Sequence, residues 1–266
     1  MANPKCTICG TELSDVASAC PKCGQHAPGS SAAKRLWLIG GCVLVVVVIA
    51  GLLALRKSPV PEPPAALSPQ QIPEITAKAE AGAPEAQRRL GIAYSKGDGV
   101  KQDYGEAAKW YQRAAAQGDA EAQAALGELY EAGQGVTRNQ AQAANWYRRA
   151  AEQGHAIAQY ELASLYNSGK GVPLDNAEAL KWYLKAANQG DSLAQYNTGM
   201  RYFEGHGVAP NLVQAFKWLS LASDQGIPDA ARALKLVKAS LSGTQLDQAR
   251  KLLRQFTLQK PGTPSK

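Results

Sequence analysis

Four of the five cysteines fall in two Cys-x-x-Cys pairs, Cys6 with Cys9 and Cys20 with Cys23. Thiolates at this spacing reach one ion from a single turn of chain, and two such knuckles supply the four sulfurs of a tetrahedral Zn²⁺ site. Gly10 and Gly24 follow the second cysteine of each pair and permit the tight turn around the metal. A closed four-sulfur shell leaves no position for a substrate, so a zinc held there is structural. A segment this short has almost no apolar core, and metal binding would supply most of its folding free energy. The alternative chemistry for the same spacing is a redox dithiol pair or plain disulfides. His26 lies just beyond the shell and reads as a linker residue.

No catalytic constellation accompanies these cysteines. The sequence carries no nucleophile elbow, no phosphate loop and no His-Glu metal motif. His155 and His206 occupy positions that vary between copies of the repeat described next. The expectation is therefore a protein that binds and does not catalyse.

The rest of the chain is built on a period of 36 residues. Trp110, Trp146, Trp182 and Trp218 stand 36 apart, as do Tyr94, Tyr130, Tyr166 and Tyr202, and Gly118, Gly154, Gly190 and Gly226. Each unit predicts a helix, a turn and a second helix. The second helix shows the stripe Ala107, Trp110, Tyr111, Ala114, Ala115, which lies on one face of an α-helix. Its start is marked by Asp103/Glu106, Asn139/Gln142, Asp175/Glu178 and Asn211/Gln214, read as capping boxes. Gly118 and its equivalents suit the left-handed residue after a helix, and Asp119 and Asp191 offer N-caps to the following one. The first helix carries Ala86, Leu90 and Tyr94, with a mid-helix glycine at Gly91, Gly127 and Gly199 and alanine at Ala163. A glycine there points to close approach of the paired helix, because it otherwise costs about 1 kcal/mol against alanine. The connecting loops read Gly-x-Gly-Val, from Gly97 to Val100 and onward in register, with both glycines suited to positive φ.

These residues resemble the Sel-one-like repeat (SLR), a short relative of the tetratricopeptide repeat. The resemblance rests on Ala86-Gln87 and its three later copies, the Gly-x-Gly-Val loop, and the Ala-x-x-Trp-Tyr…Ala-Ala-x-x-Gly second helix. Thr198, Leu219 and Ser223 depart from it, all in the fourth copy, where altered packing is expected. The resemblance implies an all-α, right-handed α-solenoid over residues 74–258. Its repeats run 83–118, 119–154, 155–190 and 191–226, followed by capping helices 229–241 and 244–258 and a disordered tail 259–266. The expected final cap starts at Thr244, with Asp247 in the capping-box position and Leu246, Ala249, Leu252, Leu253 and Phe256 buried. Residues 1–27 resemble the short zinc ribbons at the N-termini of many prokaryotic membrane proteins.

Between these parts lie twenty residues without a charge, Leu36 to Leu55, flanked by Lys34-Arg35 and Arg56-Lys57. At 1.5 Å per residue they span about 30 Å, a bilayer's hydrocarbon thickness, so 34–57 reads as a signal-anchor helix with its basic flanks. Basic residues are nearly balanced across the span. Zinc-binding thiolates persist in a reducing compartment, which places the N-terminus in the cytoplasm and the repeats in the periplasm, on a single-pass protein of the bacterial inner membrane. Residues 58–73 contain six prolines and read as an extended spacer. Residues 1–57 hold 6 Lys/Arg against 2 Asp/Glu, whereas the remainder holds 23 against 20. The basic excess is therefore not spread over the repeats, as a nucleic-acid footprint would be.

Selectivity in a solenoid lies in the columns that vary between copies. One such stripe runs Arg88/Ile92/Ser95, Ala124/Glu128/Glu131, Tyr160/Ser164/Asn167, Tyr196/Met200/Phe203, from basic through acidic to aromatic. The expectation is a protein or peptide partner gripped toward the third and fourth copies, by Tyr160, Tyr196, Met200 and Phe203, with Arg88, Ile92 and Glu128 contributing. The competing explanation is packing between neighbouring helices. The expected role is a membrane-anchored SLR scaffold or adaptor. The alternatives are a transmembrane signalling protein using its cytoplasmic zinc ribbon and, last, a cell-wall-related enzyme.

Overall fold

The computed structural model describes residues 66–259. A 3-10 turn at Pro69–Gln71 leads into eleven α-helices, and there is no strand among the described residues. The helices are α1 Ile72–Glu80, α2 Pro84–Lys96, α3 Tyr104–Ala116, α4 Ala120–Ala132, α5 Gln140–Glu152 and α6 Ala156–Ser168. They continue as α7 Asn176–Gln189, α8 Ser192–Glu204, α9 Leu212–Asp224, α10 Pro228–Ser240 and α11 Gly243–Gln259. From α1 to α10 each helix packs on its sequence neighbours, so the pairs α2/α3, α4/α5, α6/α7 and α8/α9 stack as a helical repeat solenoid, and α11 folds back onto α9. Among the described residues no helix is long and apolar enough to cross a membrane. The expected span at 34–57 and the four zinc-ligand cysteines lie outside the described residues. Helix α1 begins two residues ahead of the expected start, and Leu67 is already buried against Ile75, Leu90 and Trp110, so ordered packing extends into the Pro-rich segment.

The mid-helix glycines are explained by their partners. A Cβ on Gly91 would lie 2.6 Å from the Tyr111 ring, and on Gly127 2.8 Å from the Tyr147 ring, so in the first two copies the first helix presses its backbone onto the aromatic of the second, whereas Gly199 in the fourth meets Leu219. The Gly-x-Gly-Val loops hold both glycines at positive φ, and the second meets the preceding unit's backbone. A Cβ on Gly135 would stand 2.2 Å from the Tyr104 carbonyl carbon; Gly171 meets Gln140 and Gly207 meets Asn176 in the same way. That close approach between units is a second reason for glycine, beyond backbone freedom.

The capping boxes are only half made. Asp103, Asn139, Asp175 and Asn211 accept backbone N–H groups with their side chains. Their own N–H groups donate to the carbonyls of Tyr94, Tyr130, Tyr166 and Tyr202, at 2.7 to 3.0 Å. The box's reciprocal bond is pre-empted by a link back to the first helix, which leaves Glu106 and Glu178 to pair with Lys109 and Lys181. Asp119 and Asp191 are N-caps as expected, and His155 takes the same place with its Nδ1 accepting the Ala158 N–H at 3.1 Å. At α11 the box forms two residues early: Ser242 N–H donates to Gln245 Oε1 at 3.0 Å, and the Gln245 N–H returns to Ser242 Oγ at 3.3 Å.

A buried glutamine column ties the units together. Gln87, Gln123, Gln159 and Gln195 each donate to the last turn of the helix before, at Ala79, Ala115, Ala151 and Ala187. Each also accepts from the glutamine 30 residues on: Gln117, Gln153, Gln189 and Gln225.

The tryptophan column shows how the array ends. Arg113, Arg149 and Lys185 sit 4.6, 4.5 and 3.8 Å from the ring centroids of Trp110, Trp146 and Trp182, within cation–π range. The fourth copy has Leu221 at that position, and Phe256 of α11 meets Trp218 edge-on with centroids 5.2 Å apart. The same fold-back buries Lys217, whose Nζ lies 3.9 Å from the Trp218 centroid and 4.0 Å from that of Phe256. Thr198 is fully buried with no hydrogen-bond partner for its hydroxyl among the described residues, a local cost of the fourth copy's departures.

Candidate interaction site

The first helices of the repeats carry the variable stripe, and their register decides what each position meets. In the first copy Arg88, on α2, reaches across to the second: its Nε lies 3.0 Å from Asp119 Oδ2 and its Nη1 3.2 Å from Glu121 Oε2. One repeat later these three positions are Ala124, His155 and Ile157. In the third copy the same column carries Tyr160, whose ring meets Tyr183 edge-on at 5.6 Å. Only the second copy puts alanine there, and Ala125 beside it also replaces a larger residue, Arg89. The missing volume is a surface cavity of about 360 Å³ between α4, α5 and α6.

Its walls are acidic and apolar together. Glu121, Glu128 and Glu131 come from α4 and Glu161 from α6, while Tyr147, His155, Ile157 and the two alanines complete the lining. No lysine or arginine lines it. Burial pushes the Glu161 carboxyl up to about 7, helped by the charges of Glu131, Glu128 and Asp191. Tyr147 donates its hydroxyl to Glu131 Oε2 at 3.0 Å, and burial followed by the charge of Glu131 raises its pKa. Burial lowers the His155 pKa, and the N–H accepted at Nδ1 fixes the neutral ring with its proton on Nε2. Ile157 remains 61% exposed at the rim, and Leu193, its counterpart one repeat on, 47%. No group of three or more His, Cys, Asp or Glu among the described residues converges on a metal position. Distributed carboxylates around an aliphatic wall can hold an extended organic cation.

Of the residues singled out from sequence, Glu128 lines this cavity and Arg88 is engaged in its ion pairs. Ile92 is half-buried against the core of the first two repeats. Tyr196, Met200 and Phe203 are half-buried against the cluster of Ala215, Phe216, Leu219 and Val237 that the capping helices close. The cavity's other members, Glu121, Glu131, Tyr147, His155, Ile157 and Glu161, were not among the expected partner-binding residues. The signal that marks them is the loss of side-chain volume in register, Arg88 to Ala124 and Arg89 to Ala125.

The model of the Sel1 repeat family matches four consecutive segments, 84–119, 120–155, 156–191 and 192–227. The chain belongs to the Sel1 repeat family. This Sel1 repeat protein is similar to a solved protective antigen of uropathogenic Escherichia coli strains that displays an SLR fold. The two are 33% identical with a TM-score of 0.64, over 72% of this chain and 41% of the antigen. The match therefore spans less than half of that longer protein. A solved Sel1 repeat protein from Oxalobacter formigenes is 31% identical with a TM-score of 0.62, over 81% of this chain and 85% of that one. No curated protein matches the sequence.

Proposed function

We propose that this Sel1 repeat protein is a membrane-anchored scaffold that holds a protein partner on the first-helix face of its array, outside the cytoplasm. The supporting observation is the cavity between the second and third copies, with the exposed aliphatic residues Ile157 and Leu193 in one register on that face. A solenoid binds through such extended surfaces, and a face that keeps large aliphatic side chains in water beside carboxylates is suited to a partner. The uncharged span Leu36–Leu55 would anchor the protein, and Cys6, Cys9, Cys20 and Cys23 would hold a structural zinc on the cytoplasmic side.

A photo-crosslinking residue at Leu193 in intact cells tests the scaffold, with the same residue at exposed Gln112 on α3 as control. Discrete partner adducts at Leu193 and none at Gln112 are expected; equal yields, or no adduct at either, would overturn it. A reporter fused after Lys266 that is active only outside the cytoplasm reads the sidedness, and metal analysis of the purified chain reads the zinc.

A further inference from the structure

The geometry points to the cavity between the second and third repeats as the receptor for an arginine side chain of the partner, resting on the scaffold reading above. The chain itself shows the ligand one repeat earlier. There the column of Ala124 holds Arg88, whose guanidinium spans from the first copy to Asp119 and Glu121 of the second, with its side chain largely buried. At the next junction the arginine becomes Ala124 and its two carboxylate partners become His155 and Ile157, while Glu128, Glu131 and Glu161 stand where the preceding junction has Ile92, Ser95 and Ala125, so the cation is omitted and new carboxylates surround the space it leaves.

Three features select arginine over other cations. The carboxylates of Glu121, Glu128, Glu131 and Glu161 are distributed around the walls and do not converge on a metal position, which fits the planar five-donor fork of a guanidinium better than a point charge. The aliphatic wall of Ala124, Ala125 and Ile157 matches the methylene stem that an arginine buries. Tyr147 offers an aromatic neighbour, and this chain already places guanidinium groups over tyrosine rings, Arg201 over Tyr183 at 5.3 Å and Arg148 over Tyr166 at 6.0 Å. The exposed Ile157 and Leu193 lie in register beyond the socket, so the partner segment carries aliphatic residues beside its arginine.

The test uses the full chain in detergent micelles at pH 8 and a fluorescein-labelled peptide, Gly-Leu-Arg-Leu-Gly, against the same peptide with citrulline, which keeps the shape and removes the charge. Tighter binding of the arginine peptide by about tenfold or more is expected, because only it brings a charge to the carboxylates. Ala124→Arg supplies the cation internally, as Arg88 does in the first copy, and is expected to abolish peptide binding while the thermal unfolding profile stays cooperative. Should that variant misfold, Glu128→Gln with Glu161→Gln removes two of the four carboxylates without filling the socket and is expected to weaken binding severalfold. Equal binding of the two peptides, no binding of either at about 1 mM, or undiminished binding to a folded Ala124→Arg chain would each overturn the arginine socket. The scaffold reading is judged apart from it: partner adducts at Leu193 that survive Ala124→Arg would leave the scaffold standing and remove the socket.

Discussion

Gln153 donates its Nε2–H to Gln123 Oε1 across 2.8 Å, while Gln123 donates its own to the Ala115 carbonyl at 3.1 Å. Two side chains thus join the end of α3, the start of α4 and the end of α5, with Gln123 buried in the core and Gln153 reaching it from the surface. A satisfied buried amide costs little, whereas one left without its partner carries the full desolvation penalty. Gln123→Met keeps the volume but removes both the acceptor of the Gln153 amide and the donor to the Ala115 carbonyl. It is expected to destabilise the array by about 1 kcal/mol, because the Ala115 carbonyl still accepts the Gly118 N–H and the exposed Gln153 amide can turn to water. Urea unfolding followed by circular dichroism measures this, and an unchanged midpoint would show that the ladder contributes nothing.

Two glycines with the same sign of φ separate backbone strain from contact. Gly118 has φ +95° and open space where a Cβ would stand, whereas Gly135 has φ +67° and the Tyr104 backbone within 2.2 Å of that point. Gly118→Ala is expected to cost about 1–2 kcal/mol, the strain of a left-handed residue alone. Gly135→Ala adds a backbone collision between units and is expected to exceed about 3 kcal/mol. Equal midpoints for the two variants would refute the inter-unit contact.

Glu161 makes stability depend on pH. It is faced by Glu128 and Glu131 from α4, Tyr147 from α5, Asp191 before α8, Tyr183 from α7, and Tyr160 and His155 from its own helix and cap. Its folded-state pKa of about 7 lies above the ordinary carboxylate value of 4.5. The folded state therefore holds its proton longer than the unfolded chain, and the stability this confers is full below about pH 4.5 and lost as pH rises through 7. Glu161→Gln is expected to flatten that slope and to gain on the order of 1 kcal/mol at pH 8, after discounting for the solvent screening of a part-exposed group. Parallel wild-type and variant melts at pH 5 and pH 8 that show the same difference would exclude this titration.

Lys217 works in the opposite direction. Burial lowers its ammonium pKa to about 8, so between pH 8 and its ordinary value of 10.5 the unfolded chain binds more protons and stability rises with pH. Its counterparts Lys109 and Lys181 lie in water beside glutamates, but here the partner position is Gln214 and Phe256 covers the amine. Lys217→Met is expected to raise Tm at pH 7 by about 2–4 °C, and a lower Tm would mean that the contacts with Trp218 and Phe256 outweigh the buried charge.

The repeat frame was legible because it rests on periodic apolar columns: Trp110, Tyr111, Ala114 and their copies specify the second helix wherever they occur. The glutamine column was visible as a motif, yet its bonding was not, since the partner at Gln117 or Gln153 is set by how the units stack. The half-made capping boxes escaped notice for a similar reason: the competing acceptor, the Tyr94 carbonyl, belongs to another helix. The cavity is a property of what Ala124 and Ala125 lack, and absent volume becomes visible only when α4 and α6 are set side by side. Lys217 carried no mark in the sequence, because its burial depends on α11 folding over it.

The second loop glycine of each unit, seated on the main chain of the unit before, also bears on how such arrays diversify. Contacts between main-chain atoms, tightened by the glutamines beneath, set the pitch at which one copy follows another. Substitutions along the outward columns, such as Ala124 where the first copy has Arg88, can then accumulate without altering that pitch. New recognition surfaces can arise one side chain at a time on a frame whose dimensions do not drift.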